Sequence, residues 1–332
     1  MSKSCECQKN PIFSSTIKVE TMISIKKYDP SNKPYWDDFV SRSKNGSFLF
    51  YRDYMDYHSD RFFDYSLLIF KGKKLVAILP ANIKDNIIFS HQGLTFGGII
   101  SNKKMTMSLM MMIFQELKAY FKDNGIDKVI YKAIPHIYHS FPAEEDLYAL
   151  IRYNAKLIRR DVSSTINMNE RIPYSRNKKR NIKDTKTSGL TIRKSMNFED
   201  FMDIEEKRLA EKYGVKPAHT KEEIKLLASR FPDQIKLFTL ENNKEILGGV
   251  IIFESKNVAH GQYQAANDEG LKSGGTDLIF DFLINNYYKD KKYFDFGIST
   301  ENNGLYLNEG LIHYKEQFGA RSVVHDFYEW EI

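Results

Sequence analysis

One order of segments occurs twice along this chain, and few folds can accommodate it. From Met22 the sequence runs through a short strand-like stretch, a helical segment around Trp36, Phe39 and Val40, and three β-rich runs at 65–70, 74–80 and 87–89. The turn signals Lys71-Gly72-Lys73 and Lys84-Asp85-Asn86 separate these runs, so they read as an antiparallel meander. A Gly-rich stretch, Gln92-Gly-Leu-Thr-Phe-Gly-Gly-Ile99, leads into a helix over 104–122 with apolar residues at helical spacing, stopped by Asn124-Gly125. A strand at 128–131, a helix at 144–153 and an alternating strand at 157–168 complete the first half. The second half opens with helices at 174–187, 198–213 and 222–230 and a strand at 190–193. It then repeats the order: strands at 235–240, 246–254 and 258–266, the Gly-rich turn Lys272-Ser-Gly-Gly-Thr276, a helix at 277–288 and a strand at 293–297. A helix at 306–318 and a strand at 321–330 close the chain. Two copies of one α/β plan predict an internal duplication, although the copies are not alike in sequence.

A length of 332 residues fits two domains of roughly 150 each. The expected division is a leader at 1–21, an N-terminal domain at 22–168 and a C-terminal domain at 169–332. Hydrophobic residues make up 42% and aromatic residues 14%, enough for two packed cores, which excludes global disorder. No stretch approaches the ~18–20 apolar residues of a membrane helix, and the first twenty residues lack the apolar core of a secretory signal. A cytoplasmic protein is expected, touching a membrane at most peripherally. The only cysteines, Cys5 and Cys7, can build neither a disulfide framework nor a four-ligand zinc site, so no metal is expected.

Chemistry is expected in the second half. In Leu271-Lys-Ser-Gly-Gly-Thr-Asp277 two glycines allow close backbone approach, and the first turn of the following helix offers N–H groups to an anion. Lys272, Ser273, Gly274, Gly275 and Thr276 are therefore candidate contacts for a phosphate or pyrophosphate, such as that of coenzyme A. An ordinary helix start is the competing reading. Downstream, Phe294-Asp-Phe-Gly-Ile-Ser-Thr300 ends a strand in glycine and hydroxyl residues, followed by Gly304-Leu-Tyr-Leu-Asn-Glu-Gly-Leu311 and Tyr314-Lys-Glu-Gln-Phe-Gly-Ala320.

These last motifs resemble the C-terminal signature of Fem-type proteins of the GNAT superfamily, which include aminoacyltransferases of peptidoglycan bridge synthesis and acetyltransferase-like proteins of surface-polysaccharide loci. The segment from Tyr174 to Leu190 is similar to the basic helix opening that family's second domain, and Lys74-Leu-Val-Ala-Ile-Leu-Pro80 to a hairpin strand of its first. The resemblance covers about 22–332. It implies two tandem GNAT-like lobes of the α/β (α+β) class, each a mainly antiparallel mixed sheet flanked by helices, with the acyl-donor turn kept in the second. It also implies a donor that is either an acyl-CoA or an aminoacyl-tRNA.

A reaction of this type needs a base for the amine, a polarised carbonyl and a proton for the leaving group. Lys315 matches the family's lysine and is the candidate for polarising the carbonyl, against a surface lysine. His260, on the strand before the donor turn, is the candidate base, with Gly261 beside it opening the strand; a structural histidine is the alternative. Tyr263 is the candidate acid. Asp295 and Glu309 are further polar candidates, Asp295 pointing away from the face of Phe294 and Phe296. From Arg171 to Lys186 seven basic residues face a single acid, Asp184. Of these, Arg176, Lys179, Arg180 and Lys183, together with Tyr314, are candidate contacts for a phosphorylated acceptor or tRNA, against a solvated helix face. Phe96-Gly97-Gly98 reads as a structural turn, lining an acceptor cleft with Tyr51, His91 and Gln92.

The leading function is transfer of an acyl group from acyl-CoA to an amino group on a nucleotide- or lipid-linked sugar of surface polysaccharide. The alternatives are tRNA-dependent aminoacyl transfer, weakened because 198–230 has no long helical arm, and a non-catalytic pair binding phosphorylated glycan or RNA.

Overall fold

The computed structural model describes residues 22–332, so the leader expected at 1–21, with Cys5 and Cys7, lies outside the described residues. The first half forms β1 (Ile23–Lys27), α1 (Lys33–Arg42), α2 (Arg52–Met55), β2 (Phe63–Asp64), β3 (Leu67–Lys71), β4 (Lys74–Leu79), β5 (Asn82–Lys84) and β6 (Ile87–Phe89). It continues with β7 (Ile100–Ser101), α3 (Met107–Asp123), β8 (Lys128–Lys132), α4 (Glu145–Arg152) and β9 (Lys156–Asn167). The second half adds α5 (Arg176–Thr185), β10 (Thr191–Ser195), α6 (Phe198–Tyr213), α7 (Lys221–Arg230), β11 (Ile235–Asn242), β12 (Glu245–Glu254) and β13 (Val258–Ala266). Then come α8 (Asp268–Lys272), α9 (Gly275–Phe282), β14 (Tyr293–Ile298), β15 (Thr300–Glu301), β16 (Tyr306–Leu307), α10 (Glu309–Glu316) and β17 (Arg321–Glu331).

Local signals account for the helices that matter here. Thr106 caps α3, its hydroxyl accepting from Leu109 N–H, and Leu109, Met110, Ile113, Phe114, Leu117 and Phe121 bury one face. A capping box of Thr220 and Glu223 starts α7, and Gly214, left-handed at φ +65°, ends α6.

Strands β1, β3, β4 and β7 form a four-stranded sheet, while eleven strands form a second, in the order β10-β11-β12-β13-β14-β9-β17-β8-β6-β5-β2. The pairing is mainly antiparallel, with one parallel pair per half: β6/β8, joined through α3, and β13/β14, joined through α9. That is the duplicated plan. The two halves nevertheless share one long sheet. Strand β9 pairs with β14 on one edge and β17 on the other, and the end of β17, from Phe327, crosses to β8.

The cores follow this sharing. One joins α1 and Phe48–Phe50 of the first half to α6, α7 and β13 of the second, with Phe48 5.6 Å from Phe231 and 5.5 Å from Phe253 between ring centroids. Another packs α3 and α4 on β3, β4 and β8, and takes Tyr328 and Trp330 from the C-terminal strand. Trp330 is 2% exposed and lies 5.1 Å from Phe114 and 5.9 Å from Tyr153 between ring centroids. Trp330→Ala should therefore cost about 3–5 kcal/mol, as for other buried aromatic truncations. Denaturant unfolding checks it, and a loss below about 1 kcal/mol would mean that β17 does not hold the first half together.

Three local expectations need correction. The Gly-rich turn lies between α8 and α9, because Asn267 caps an extra helical turn before it, rather than between a strand and a helix. The helix expected to Tyr288 passes into a π-helical turn at Leu283–Tyr287. The last helix starts at Glu309, because Tyr306 and Leu307 pair with Glu301 and Thr300 across a turn whose Asn302 and Asn303 have positive φ.

Candidate active site

Strands β13 and β14 run parallel only as far as the pair His260/Asp295, and then part. Two irregularities drive the separation. Gln262 is an extra residue against β12, where the register shifts between Ile251 and Ile252. Gly297, at φ +80°, breaks the register of β14 against β9. The parting leaves the β13 backbone from Gly261 to Ala266 without a strand on its β14 side. A cavity of about 1240 Å³ opens there and reaches from the Gly-rich turn to Lys132, Arg159 and Phe327 of the neighbouring strands.

The last paired residues form a buried hydrogen-bonded group. His260 donates from Nδ1 to Asp295 Oδ2 at 2.6 Å. Asp295 Oδ1 accepts from Ser163 Oγ at 2.6 Å and Thr165 Oγ1 at 2.7 Å, both on β9. Asp295 is fully buried. Burial pushes its carboxyl up, but the hydrogen bonds and charge of His260, with His325 and Ser163, outweigh it and hold the group below the usual carboxylate range. An ionised Asp295 fixes the proton on His260 Nδ1, so Nε2 is the basic nitrogen of a side chain that lines the cavity. Asp295, read only as a polar candidate, is thus the residue that orients His260, the candidate base. Ser163 and Thr165 were missed, although hydroxyls at period two in a buried strand are a visible signal.

Lys315 lines the same cavity but is 1% exposed. Its ammonium donates to Gly297 O at 2.9 Å, Ile298 O at 2.8 Å and Ser299 Oγ at 2.9 Å. All three N–H bonds are spent on the end of β14, where the strand turns away from β13. Burial pulls the ammonium down to about 8, Asp295 opposing. Tyr263 is similarly committed: its hydroxyl accepts from His219 N–H at 3.1 Å and lies 2.6 Å from His219 Nδ1. Burial pushes that phenol up. As the structure stands, Lys315 has no N–H free for the carbonyl, and the Tyr263 hydroxyl is bound to His219. Glu309 is not among the residues around the cavity.

At the turn, Lys272, Ser273, Gly274 and Thr276 line the cavity, while Gly275 lies beneath them. A Cβ on Gly275 would meet Leu240 Cδ2 at 2.1 Å, so this glycine also packs closely on β11. Ser273 and Gly274 N–H groups are used by Glu269 O and Leu271 O, which leaves those of Gly275 and Thr276 for an anion. The basic helix is divided. Lys178 turns inward to Asp277 at 2.7 Å, whereas Arg176, Lys179, Arg180 and Lys183 are exposed and outside the cavity, to which α5 presents Asn181, Asp184 and Thr185. Tyr314 does line it. Of the first-half turn only Thr95 reaches the cavity; Tyr51, His91 and Gln92 do not. Gly97 and Gly98 serve packing, a Cβ there meeting Ser90 O at 1.8 Å and Tyr131 Oη at 2.5 Å.

No group of three or more His, Cys, Asp or Glu side chains among the described residues could hold a metal. No helix among them is long and apolar enough to cross a membrane.

The duplicated mixed sheet, with a parted parallel pair beside a Gly-rich turn, defines the class: a tandem GNAT fold. Residues 174–316 match the acetyltransferase (GNAT) domain family, and the chain as a whole shares its fold with solved structures that include FemX. FemX superposes with a TM-score of 0.67 at 10% identity, covering 92% of this chain and 97% of that one. L-PGS from Bacillus licheniformis gives 0.56 at 10% identity, over 92% and 93%. A tandem GNAT protein from the clavulanic acid biosynthesis pathway gives 0.51 at 9% identity, over 93% and 98%. No curated protein matches the sequence closely enough to count as a relative.

Proposed function

We propose that the chain transfers an acyl group from an acyl-CoA to an amine, with the donor carbonyl lodged where β13 and β14 part. The observation that carries this reading is the His260–Asp295 pair at the root of that gap. His260 Nε2 takes the proton of the attacking amine as the C–N bond forms, and Asp295 stabilises the imidazolium. As the tetrahedral intermediate collapses, the C–S bond breaks and the imidazolium returns that proton to the leaving CoA thiolate. Backbone N–H groups along the free edge of β13 receive the developing oxyanion. The thioester arm lies along the same edge, and the phosphates lie at Lys272, Thr276 and the two free N–H groups of the turn. Lys315 and Tyr263 serve the site by position, one holding β14 open and the other anchoring the α7 cap. The acceptor we propose is an amino sugar carried on a nucleotide or lipid, and the setting the cytoplasm.

One observation favours a second reading, aminoacyl-tRNA as donor. The four exposed basic residues of α5 stand outside the cavity, where they suit a large polyanion better than a cavity-sized ligand. Mass spectrometry of molecules retained by the purified protein, calorimetric titration with acetyl-CoA and filter binding with alanyl-tRNA separate the two. For the acyl-CoA reading, reversing charge at Lys179 and Lys183 should leave acetyl-CoA affinity within about twofold. Binding of alanyl-tRNA alone, with steep salt dependence abolished by those reversals, would replace the donor.

A further inference from the structure

Among the described residues, buried carboxylates are provided for, with one exception. Asp295 has three donors, Asp277 has Lys178, Asp146 has Tyr131, and Asp161 has Arg159 and Thr300. Glu205, on α6, is 6% exposed and accepts no hydrogen bond among the described residues. It lines the same cavity as Gln262 and Tyr263, and its charge helps to push the Tyr263 phenol up. An isolated buried carboxylate is expensive, and proteins keep one mainly where something else completes it.

We propose that Glu205 seats the ammonium form of the acceptor amine, on the α6 wall of the cavity that the gap between β13 and β14 opens into. This rests on the acyl-transfer reading and names the charge state in which the acceptor arrives. The groups around Glu205 fit a cation that is brought in. Arg208, one turn along α6, is engaged by Glu211 at 3.6 Å and Asp268 at 3.4 Å, and Lys212 also has a partner of its own. From β13, Tyr263 is neutral and His260 is turned to Asp295; from the start of α7, His219 is held down to about 4 by burial. Gln262 Oε1, buried and without a partner, lines the same cavity as a neutral acceptor for N–H. A single carboxylate with amide and phenol neighbours suits an ammonium, which needs one charge and a few acceptors, better than a divalent ion, which needs several anionic ligands. Burial holds Glu205 up to about 7, as expected of a carboxylate whose partner is absent.

The test is a carbon-13 NMR titration of protein labelled at the glutamate carboxyls, with n-butylammonium as probe and n-butanol as its neutral counterpart. One resonance should titrate near pH 7 and vanish in Glu205→Gln, or move in Glu205→Asp should the first variant not fold. Saturating n-butylammonium should lower its midpoint by about one pH unit or more, the usual effect of an adjacent opposite charge, and n-butanol should not. Equal shifts with amine and alcohol, no shift with the amine, or undiminished n-butylammonium binding in Glu205→Gln would overturn the proposal. Stability gives a readout that packing alone would not move. Because this carboxyl titrates higher folded than unfolded, its ionisation costs stability as pH rises from about 4.5 to 7, so Glu205→Gln should melt higher than wild type at pH 8 and not at pH 4. If acetyl-CoA and alanyl-tRNA both fail to bind while the midpoint still shifts with n-butylammonium, the acyl-transfer reading falls and the ammonium site stands. The reverse outcome removes only the ammonium site.

Discussion

Asp295→Asn should lower kcat by about 10²–10⁴ while donor Kd stays within about twofold and the protein remains folded. The magnitude follows from what the carboxylate does rather than from what it touches. His260 can take a proton at Nε2 only if Nδ1 keeps its own, and Asp295 Oδ2, 2.6 Å away, is the group that holds it there. An amide at 295 can point its oxygen at His260, in which case the imidazolium formed during reaction loses its counter-charge. It can also point its NH₂ there, in which case the proton moves to Nε2 and the base is blocked. Both outcomes reduce catalysis and neither empties the donor gap. Stability should fall modestly, because Ser163 and Thr165 keep an oxygen or an amide as partner. His260→Gln, lacking the base altogether, should lower kcat at least as far. An Asp295→Asn enzyme with kcat within threefold of wild type would mean that the His260–Asp295 pair is a structural link between β13 and β14.

The sequence shows the order of elements well because most of its signals are local. The apolar spacing of α3, the Thr220–Glu223 box of α7 and the alternation of β13 each speak within a dozen residues. Pairings between distant segments leave no such mark. Arg321–Glu331 reads as a closing strand, but nothing in it says that it enters between β9 and β8 or that Trp330 belongs to the first half's core. The site divides in the same way. His260 is visible as a histidine beside a glycine on the strand before the turn, and Asp295 as an acid between two phenylalanines. Their meeting depends on the register of a parallel pair, which only the fold sets. Glu205 stands in Asp-Ile-Glu-Glu-Lys-Arg, indistinguishable by sequence from a solvated helix face. Two neighbours could not be read locally: Leu240 lies against Gly275, and Lys178, counted with the basic face, is buried against Asp277.

Lys315→Met is the most informative single change, because two roles for this lysine predict opposite pairs of numbers. A lysine acting only on the reacting carbonyl would, when lost, lower kcat by about 10²–10³ and leave donor Kd and stability alone. The hydrogen bonds point elsewhere. The ammonium binds two carbonyls and a hydroxyl in succession, Gly297 O, Ile298 O and Ser299 Oγ, in the stretch where β14 leaves β13. Methionine keeps much of the aliphatic stem but leaves those three acceptors without a donor, at about 1–3 kcal/mol for each that water cannot reach. Relief of a buried charge, already drawn down to about 8 by burial, returns part of that. A net loss of about 2–4 kcal/mol is expected, within the range for breaking a buried polar network. With the clamp gone, β14 can close toward β13, so donor Kd should rise about tenfold or more, and kcat should fall with it. Ser299→Ala removes one of the three acceptors and should show the same pattern faintly. Calorimetric titration of the donor, read beside thermal unfolding, decides between the two roles. Unchanged Kd and melting temperature with kcat down a hundredfold would return Lys315 to the reacting carbonyl.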